Sequence, residues 1–318
     1  MANEHSDVKS RIKKKLERDL GDVFLTTWHD PKVVEMMLNA DGCVWVERLG
    51  EPVQFLLKMS PAQSQAVIES IAGFHGKEVT KNNPILEGEF PLDNSRFAGQ
   101  LPPVVPSPTF AIRKKAVMIF ELEQYVDNGI LSIKQFDLLV EAVKDHQNIL
   151  VVGGTGSGKT TLVNAIIQQM VVNNPMERII IIEDTGEIQC SAQNYVQYHT
   201  SVDVSMTKLL KTTLRMRPDR ILVGEVRGEE ALDLLDAWNT GHAGGVATLH
   251  ANSAIEGLTR LKSLVSRNKF APKDIEQLIG EAVHIVVHIS RTPTGRKIQE
   301  ILRVLGYENN RYIVQTME

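Results

Sequence analysis

Residues 149–167 impose a strand, a glycine-rich loop and a helix in immediate succession, an order that few folds accept. The apolar run Ile149-Leu150-Val151-Val152 leads into Gly153-Gly154-Thr155-Gly156-Ser157-Gly158-Lys159-Thr160, which fits G-x-x-x-x-G-K-[ST] in full. Leu162, Val163, Ala165, Ile166 and Ile167 then form an apolar-periodic stretch. Glycines let successive N–H groups turn inward around phosphate oxygens, and a helix N-terminus adds partial positive charge. Residues 153–160, with Thr161 beside them, therefore read as a cradle for the phosphates of a nucleotide. Lys159 is expected to face solvent and reach the β- and γ-phosphates, and Thr160 to hold Mg²⁺.

The chain around this loop predicts the sheet that carries it. A helix is expected over residues 132–145, capped by Ser132, and strands at 148–152, 178–183, 194–199, 220–224 and 246–250. Such alternation implies a mostly parallel sheet with helices on both faces. Residues 283–317 read as antiparallel strands and hairpins. Ligands of open α/β sheets bind at the carboxyl ends of the strands, and two apolar strands end there in carboxylates, Glu183-Asp184 and Glu225. Glu183 can polarise a water in line with the γ-phosphate or help order Mg²⁺; Glu225 suits the Mg²⁺ shell, partly through water. His242 and His250 flank a third apolar strand, where a histidine can sense γ-phosphate, link subunits or simply pack. Arg215, Arg217, Arg220 and Arg227 cluster about the Glu225 strand. Arginines near a transferring phosphoryl group stabilise its transition state.

The first third of the chain has a different texture. Val8, Ile12, Leu16 and Leu20 form a narrow stripe among six basic residues. This helix over residues 1–20 reads either as a foot on an anionic membrane surface or as a helix packed on its own domain with a solvated basic face; the narrow stripe favours the second. A helix is expected over 31–38 with Asp30 as its N-cap, strands at 43–48 and 53–59, and a helix from Ser60-Pro61 through Ile71. Residues 99–108 hold four prolines, which exclude a helix interior or a central strand. A linker is therefore placed within 101–120, with one further strand at 109–112. The expected organisation is a basic helix (1–20), an N-terminal α/β domain (21–110) and a C-terminal ATP-binding domain (111–318) joined by the proline-rich linker.

Composition narrows the function classes. A net charge of −4 argues against a dedicated nucleic-acid coat, and direct nucleic-acid binding is doubtful. The two cysteines, Cys43 and Cys190, supply neither a zinc module nor a disulfide framework. No apolar run reaches membrane-spanning length and the N-terminus carries no signal peptide, so a reducing cytosol is expected.

Four segments in this order, GGTGSGKTT (153–161), IIIIEDTGEIQ (179–189), ILVGEVRG (221–228) and TGHAGGVATLHAN (240–252), resemble the P-loop, Asp box, Walker B element and His box of the secretion ATPase superfamily. Arg96-Phe97, Leu101-Pro102-Pro103 and Phe110-Ala111-Ile112-Arg113 are similar to that family's N-domain nucleotide-contact segment. The likeness spans residues 30–290 and is greatest to the conjugation and type IV secretion branch. It implies a RecA-like α/β ATPase domain and a smaller N-terminal domain. It also implies ATP and Mg²⁺, a homo-hexameric ring, and inner-membrane channel and coupling components as partners. The expected location is the cytoplasmic face of the inner membrane, with peripheral contact. By the same resemblance Glu183 activates water, and Lys159, Glu225, His242, Arg96 and Arg113 complete the catalytic set. Which of Arg96, Arg113, Arg215, Arg217 and Arg227 reaches the phosphates stays open. A pilus-retraction motor, and a docking protein that binds ATP but scarcely hydrolyses it, are the competing functions.

Overall fold

The computed structural model describes residues 2–48, 51–114, 120–201, 203–293 and 295–317. The chain divides into two compact units, residues 1–117 and 118–318.

The first unit runs α1 (Ala2–Leu20), α2 (Asp22–His29), β1 (Val33–Leu38), β2 (Cys43–Arg48), β3 (Gln54–Lys58), α3 (Pro61–Phe74), β4 (Ile85–Glu89), β5 (Arg96–Gln100) and β6 (Thr109–Arg113). The six strands form one antiparallel sheet in the order β3-β2-β1-β6-β5-β4. Leu16 and Leu20 of α1 are buried with Phe24, Trp28, Val67, Ile68 and Ile71 in the core of this unit. Lys9 and Lys13 lie over the ring of Phe74, at 5.0 and 5.6 Å, so α1 packs on α3 through its stripe and through the stems of its lysines. As its Ser-Pro start predicts, α3 opens at Pro61 with the Ser60 side chain accepting from Gln63 N.

Two expectations fail in this unit. Residues 33–38 are strand β1 in the middle of the sheet, not a helix. The segment VVEMML is apolar enough to satisfy either period, and pairing with β2 on one side and β6 on the other decides it. The proline-rich stretch is not the linker either: residues 101–108 join β5 to β6, neighbours in one sheet. The division between the units falls at 117/118, inside the expected 101–120 interval but past its prolines, and β6 spans the expected boundary at 110/111.

The second unit continues with α4 (Leu122–Asp127), α5 (Ile133–Lys144), β7 (Ile149–Val152), α6 (Lys159–Asn173), β8 (Ile179–Glu183), β9 (Tyr195–His199), α7 (Met206–Thr213), β10 (Arg220–Val223), α8 (Glu230–Asn239), β11 (Val246–Leu249), α9 (Ala254–Val265), α10 (Ile275–Ala282), β12 (Ile285–Thr292), β13 (Gly295–Glu308) and β14 (Arg311–Met317). The strands lie in the order β14-β13-β12-β7-β11-β10-β8-β9. The six from β12 to β9 are parallel, and β13 and β14 extend the sheet antiparallel. Alternate residues of each central strand enter opposite cores: Leu150 and Val152 pack towards α7 to α10, Ile149 and Val151 towards α4 to α6. Burial on both faces explains the unbroken apolar runs of β7, β8 and β10.

Candidate active site

The glycine-rich loop leaves the carboxyl end of β7 and enters α6 at Lys159. Gly156 and Gly158 hold φ of 69° and 100°, left-handed backbone that a side chain resists. A Cβ on Gly153 would stand 2.2 Å from the Ile289 carbonyl, so β12 presses on the loop from one side. Lys159 is only 9% exposed. Its ammonium donates to the carbonyls of Gly153 and Gly154, both at 2.9 Å. The expectation that it faces solvent is therefore wrong: the loop's own carbonyls offer oxygens within reach and draw the charge inward.

Strand order explains what Lys159 meets next. β11 lies between β7 and β10, so the residue that follows β11 sits between the P-loop and Glu225. That residue is His250. Its Nδ1 lies 3.5 Å from Lys159 Nζ, and its Nε2 lies 2.8 Å from Glu225 Oε1. An ammonium can only donate, so we assign Nδ1 as the acceptor and place the imidazole proton on Nε2, towards Glu225. Burial, and then the charge of Lys159, push the His250 pKa down, which keeps the ring neutral near pH 7. Glu225 also accepts from Arg227, whose other nitrogen lies 3.1 Å from Asp184. Asp184 in turn accepts from the Thr200 hydroxyl at 2.9 Å. A line of polar and charged groups thus runs along the carboxyl ends of β7, β11, β10 and β8, from the buried Lys159 to the exposed Arg227 and Asp184.

Glu183 stands apart from that line. Its side chain is buried, and burial pushes its pKa up to about 7. Its oxygens accept from Gln197 Nε2 at 2.9 Å, from Ile188 N at 3.1 and 3.2 Å, and from Glu187 N. The carboxyl therefore braces the 184–188 turn.

The remaining predicted residues scatter. His242 precedes β11, and β11 runs parallel to β7 with Val246 beside Ile149 and Leu249 beside Val152. His242 is therefore at the amino edge of the sheet, at the opposite end of the strands from the P-loop. Arg215 and Arg217 are exposed, ahead of β10 at that same edge. Arg220 is buried against Glu177 and donates to the carbonyls of Gly244 and Val143 at 3.0 Å, a structural role. In the first unit Arg96 and Arg113 face each other across β5 and β6, with Glu35 4.0 Å from Arg113. Thr160 and Thr161 are half-buried at the start of α6. Along the chain His250 is only a residue at a strand end, with no order among its partners. The rule that singled out Glu183 and Glu225, a functional group after an apolar strand, applies equally to His250.

The chain matches the family described as Type II/IV secretion system protein over residues 22–309. It belongs to that family. It is a secretion ATPase, and the P-loop with the Lys159–His250–Glu225 line is its candidate catalytic centre. It is 45% identical over 302 residues to a conjugal transfer protein TrbB of Rhizobium radiobacter, covering 95% of this chain and 93% of the relative. It is 32% identical to the type IV secretion system protein VirB11 of Bartonella quintana, covering 86% of this chain and 88% of the relative. Among solved structures, the Legionella pneumophila ATPase DotB shares the fold at a TM-score of 0.64 and 19% identity, over 88% of this chain and 79% of that one.

Proposed function

We propose that this secretion ATPase powers a conjugative type IV secretion system as a homo-hexameric ring at the cytoplasmic face of the inner membrane, energising pilus assembly or transfer of DNA and protein. The observation that carries the catalytic part is the Lys159–His250–Glu225 line, which ties the phosphate-binding lysine to a strand-end carboxylate. The 45% identity to a conjugal transfer protein over most of both chains supports the biological setting. No helix among the described residues is long and apolar enough to cross a membrane, so membrane contact would be peripheral. The exposed Arg11 and Lys14 of α1 suit an anionic surface.

Phosphate arriving on the loop offers Lys159 a better partner than two neutral carbonyls, so the ammonium turns from Gly153 and Gly154 to the β- and γ-phosphates. That movement relieves the lone pair of His250 Nδ1, and the ring can follow the charge while its Nε2–H keeps hold of Glu225. Glu225, freed from Arg227, is the carboxylate placed to accept the proton of an attacking water. Arg227 becomes available to the transferring phosphoryl group. Water activation thus moves from Glu183, whose oxygens are taken by amide donors, to Glu225. The Thr160 hydroxyl and the Glu225 carboxylate are hard oxygen donors of the type Mg²⁺ takes, and the ion would neutralise phosphate charge there. Arg96 and Arg113, side by side on one sheet face, are proposed as phosphate-binding groups. His242, Arg215 and Arg217 are proposed to serve a neighbouring copy in the ring.

The test is Glu225→Gln, in the purified chain and in a conjugative plasmid that encodes it. ATP should still bind, turnover should fall by roughly 10²–10⁴-fold, and plasmid transfer should drop to background. Transfer at the parental frequency with hydrolysis abolished would refute the motor reading. Normal hydrolysis would return water activation to Glu183.

A further inference from the structure

The P-loop has two flanks. On one stand β11 and β10 with His250 and Glu225; on the other stands β12, paired with β13. β12 pairs with β7 so that His288 lies beside Val152, the last residue of β7. Arg291 therefore lies three residues beyond that level, abreast of the glycine-rich loop.

Arg291 stands directly opposite Arg296 in the β12–β13 ladder. Each is two residues from an isoleucine of the pair Ile289 and Ile298, so both arginines share the isoleucines' face of the sheet. The isoleucines are buried in the core that includes Leu162 of α6. The arginines continue that face past the end of the core, and both are exposed. Arg296 lies on the loop itself: a Cβ on Gly158 would be 2.8 Å from its Cδ and 3.1 Å from its Nε. Glycine at 158 is needed both for its φ of 100° and for this close approach. Like charges directly opposite one another weaken a strand pair. Among the described residues, the guanidinium groups of Arg291 and Arg296 make no hydrogen bond or ion pair, and the two residues pair only through the β12–β13 ladder.

We propose that Arg296, assisted by Arg291, binds the α-phosphate of the bound nucleoside di- or triphosphate and so fixes the direction in which it lies across the P-loop. Lys159 and His250 mark the γ-phosphate end, on the β11 flank. The polyphosphate then runs towards β12, and its next charge falls beside the two guanidinium groups. A planar fork of donors suits a phosphate with two free oxygens, and the anion removes the repulsion within the arginine pair. The inference rests on nucleotide occupying the P-loop, and inorganic pyrophosphate examines that premise separately.

The experiment is calorimetric titration of the full chain with ADP and with pyrophosphate, both with Mg²⁺, for wild type, Arg296→Ala, Arg296→Lys and Arg291→Ala. Thermal melting establishes that each variant is folded. Arg296→Ala should weaken ADP by about tenfold, near 1.4 kcal/mol, while pyrophosphate changes by less than about twofold. Arg296→Lys should recover part of the loss, since it keeps the charge without the fork. Arg291→Ala should show a smaller loss in the same direction. Lys297→Ala, on the opposite face of β13, should leave both affinities unchanged. Equal losses for ADP and pyrophosphate would overturn the α-phosphate assignment and make Arg296 a support of the loop. Unchanged ADP affinity in Arg296→Ala would overturn the proposal outright. Failure of wild type to bind pyrophosphate while binding ADP would remove the P-loop premise, and the proposal with it.

Discussion

The two ends of the parallel sheet use the same residue types to opposite purposes. At the amino edge, Arg220 is 1% exposed, bound to Glu177 and to two backbone carbonyls. Asn148 beside it accepts from Gly244 N and Gly245 N at 2.8 and 3.0 Å and donates to the Ala282 carbonyl at 2.7 Å. His146 adds a contact to Glu177 at 2.9 Å. At the carboxyl edge Lys159, His250, Glu225, Arg227 and Asp184 form a line that is partly open to solvent and joined link by link. A saturated network holds one geometry, because losing any partner strands a buried polar group. A line whose outer members are open to solvent can exchange partners at small cost, because water and incoming phosphate replace those bonds. The fold invests rigidity where the strands begin and leaves exchangeable charge where they end.

The sharpest way to break this contrast is Arg220→Ala. It should destabilise the second unit by roughly 3–5 kcal/mol, the scale for removing one partner of a buried ion pair, read as a shift in the denaturant midpoint. A loss below about 1 kcal/mol, the surface-pair scale, would show that the amino edge is no more saturated than the carboxyl edge. Next is Lys159→Ala. Turnover should fall by roughly 10²–10³-fold, as for other removed phosphate or oxyanion donors, with the melting temperature nearly unchanged, although the side chain is buried. A large drop in melting temperature would mean that Lys159 belongs with Arg220 as a structural cation.

The smallest expected effect concerns Glu183, which lies at the carboxyl edge but is bonded like a residue of the amino edge. Its folded pKa is raised from 4.5 to about 7. A raised carboxyl pKa means the folded state holds the proton more tightly than the unfolded one. The associated stability is therefore fully present below pH 4.5 and is lost as pH rises to about 7. The loss amounts to roughly 3 kcal/mol. Glu183→Gln cannot ionise and should lack that slope when unfolding is measured across the window. Parallel stability–pH curves for the two proteins would show that the buried brace is wrongly assigned.

Much of this site is legible along the chain because its parts are contiguous. A strand, a loop with the correct glycines and a helix need no distant residue to be recognised, and apolar runs covered on both faces announce β7, β8 and β10 and the carboxylates after them. The basic helix likewise shows its buried stripe, at Leu16 and Leu20. The remainder depends on which strands lie side by side. No local pattern states that β11 inserts between β7 and β10, and only that order makes His250, rather than His242, the link between Lys159 and Glu225. The same holds for β1, whose six residues satisfy either period until β2 and β6 supply hydrogen bonds, and for Arg220, which reads as one arginine in a cluster until Glu177 buries it. It holds most clearly for Arg291 and Arg296, ordinary hairpin residues that a shared ladder position and one close glycine bring to the P-loop. Sequence by itself determined the chemistry this chain can perform, since covalent spacing sets which groups a strand-loop-helix presents. Tertiary structure alone decided which of those groups act together, since hydrogen bonding and charge fall off within a few ångströms and only folding brings distant residues that close.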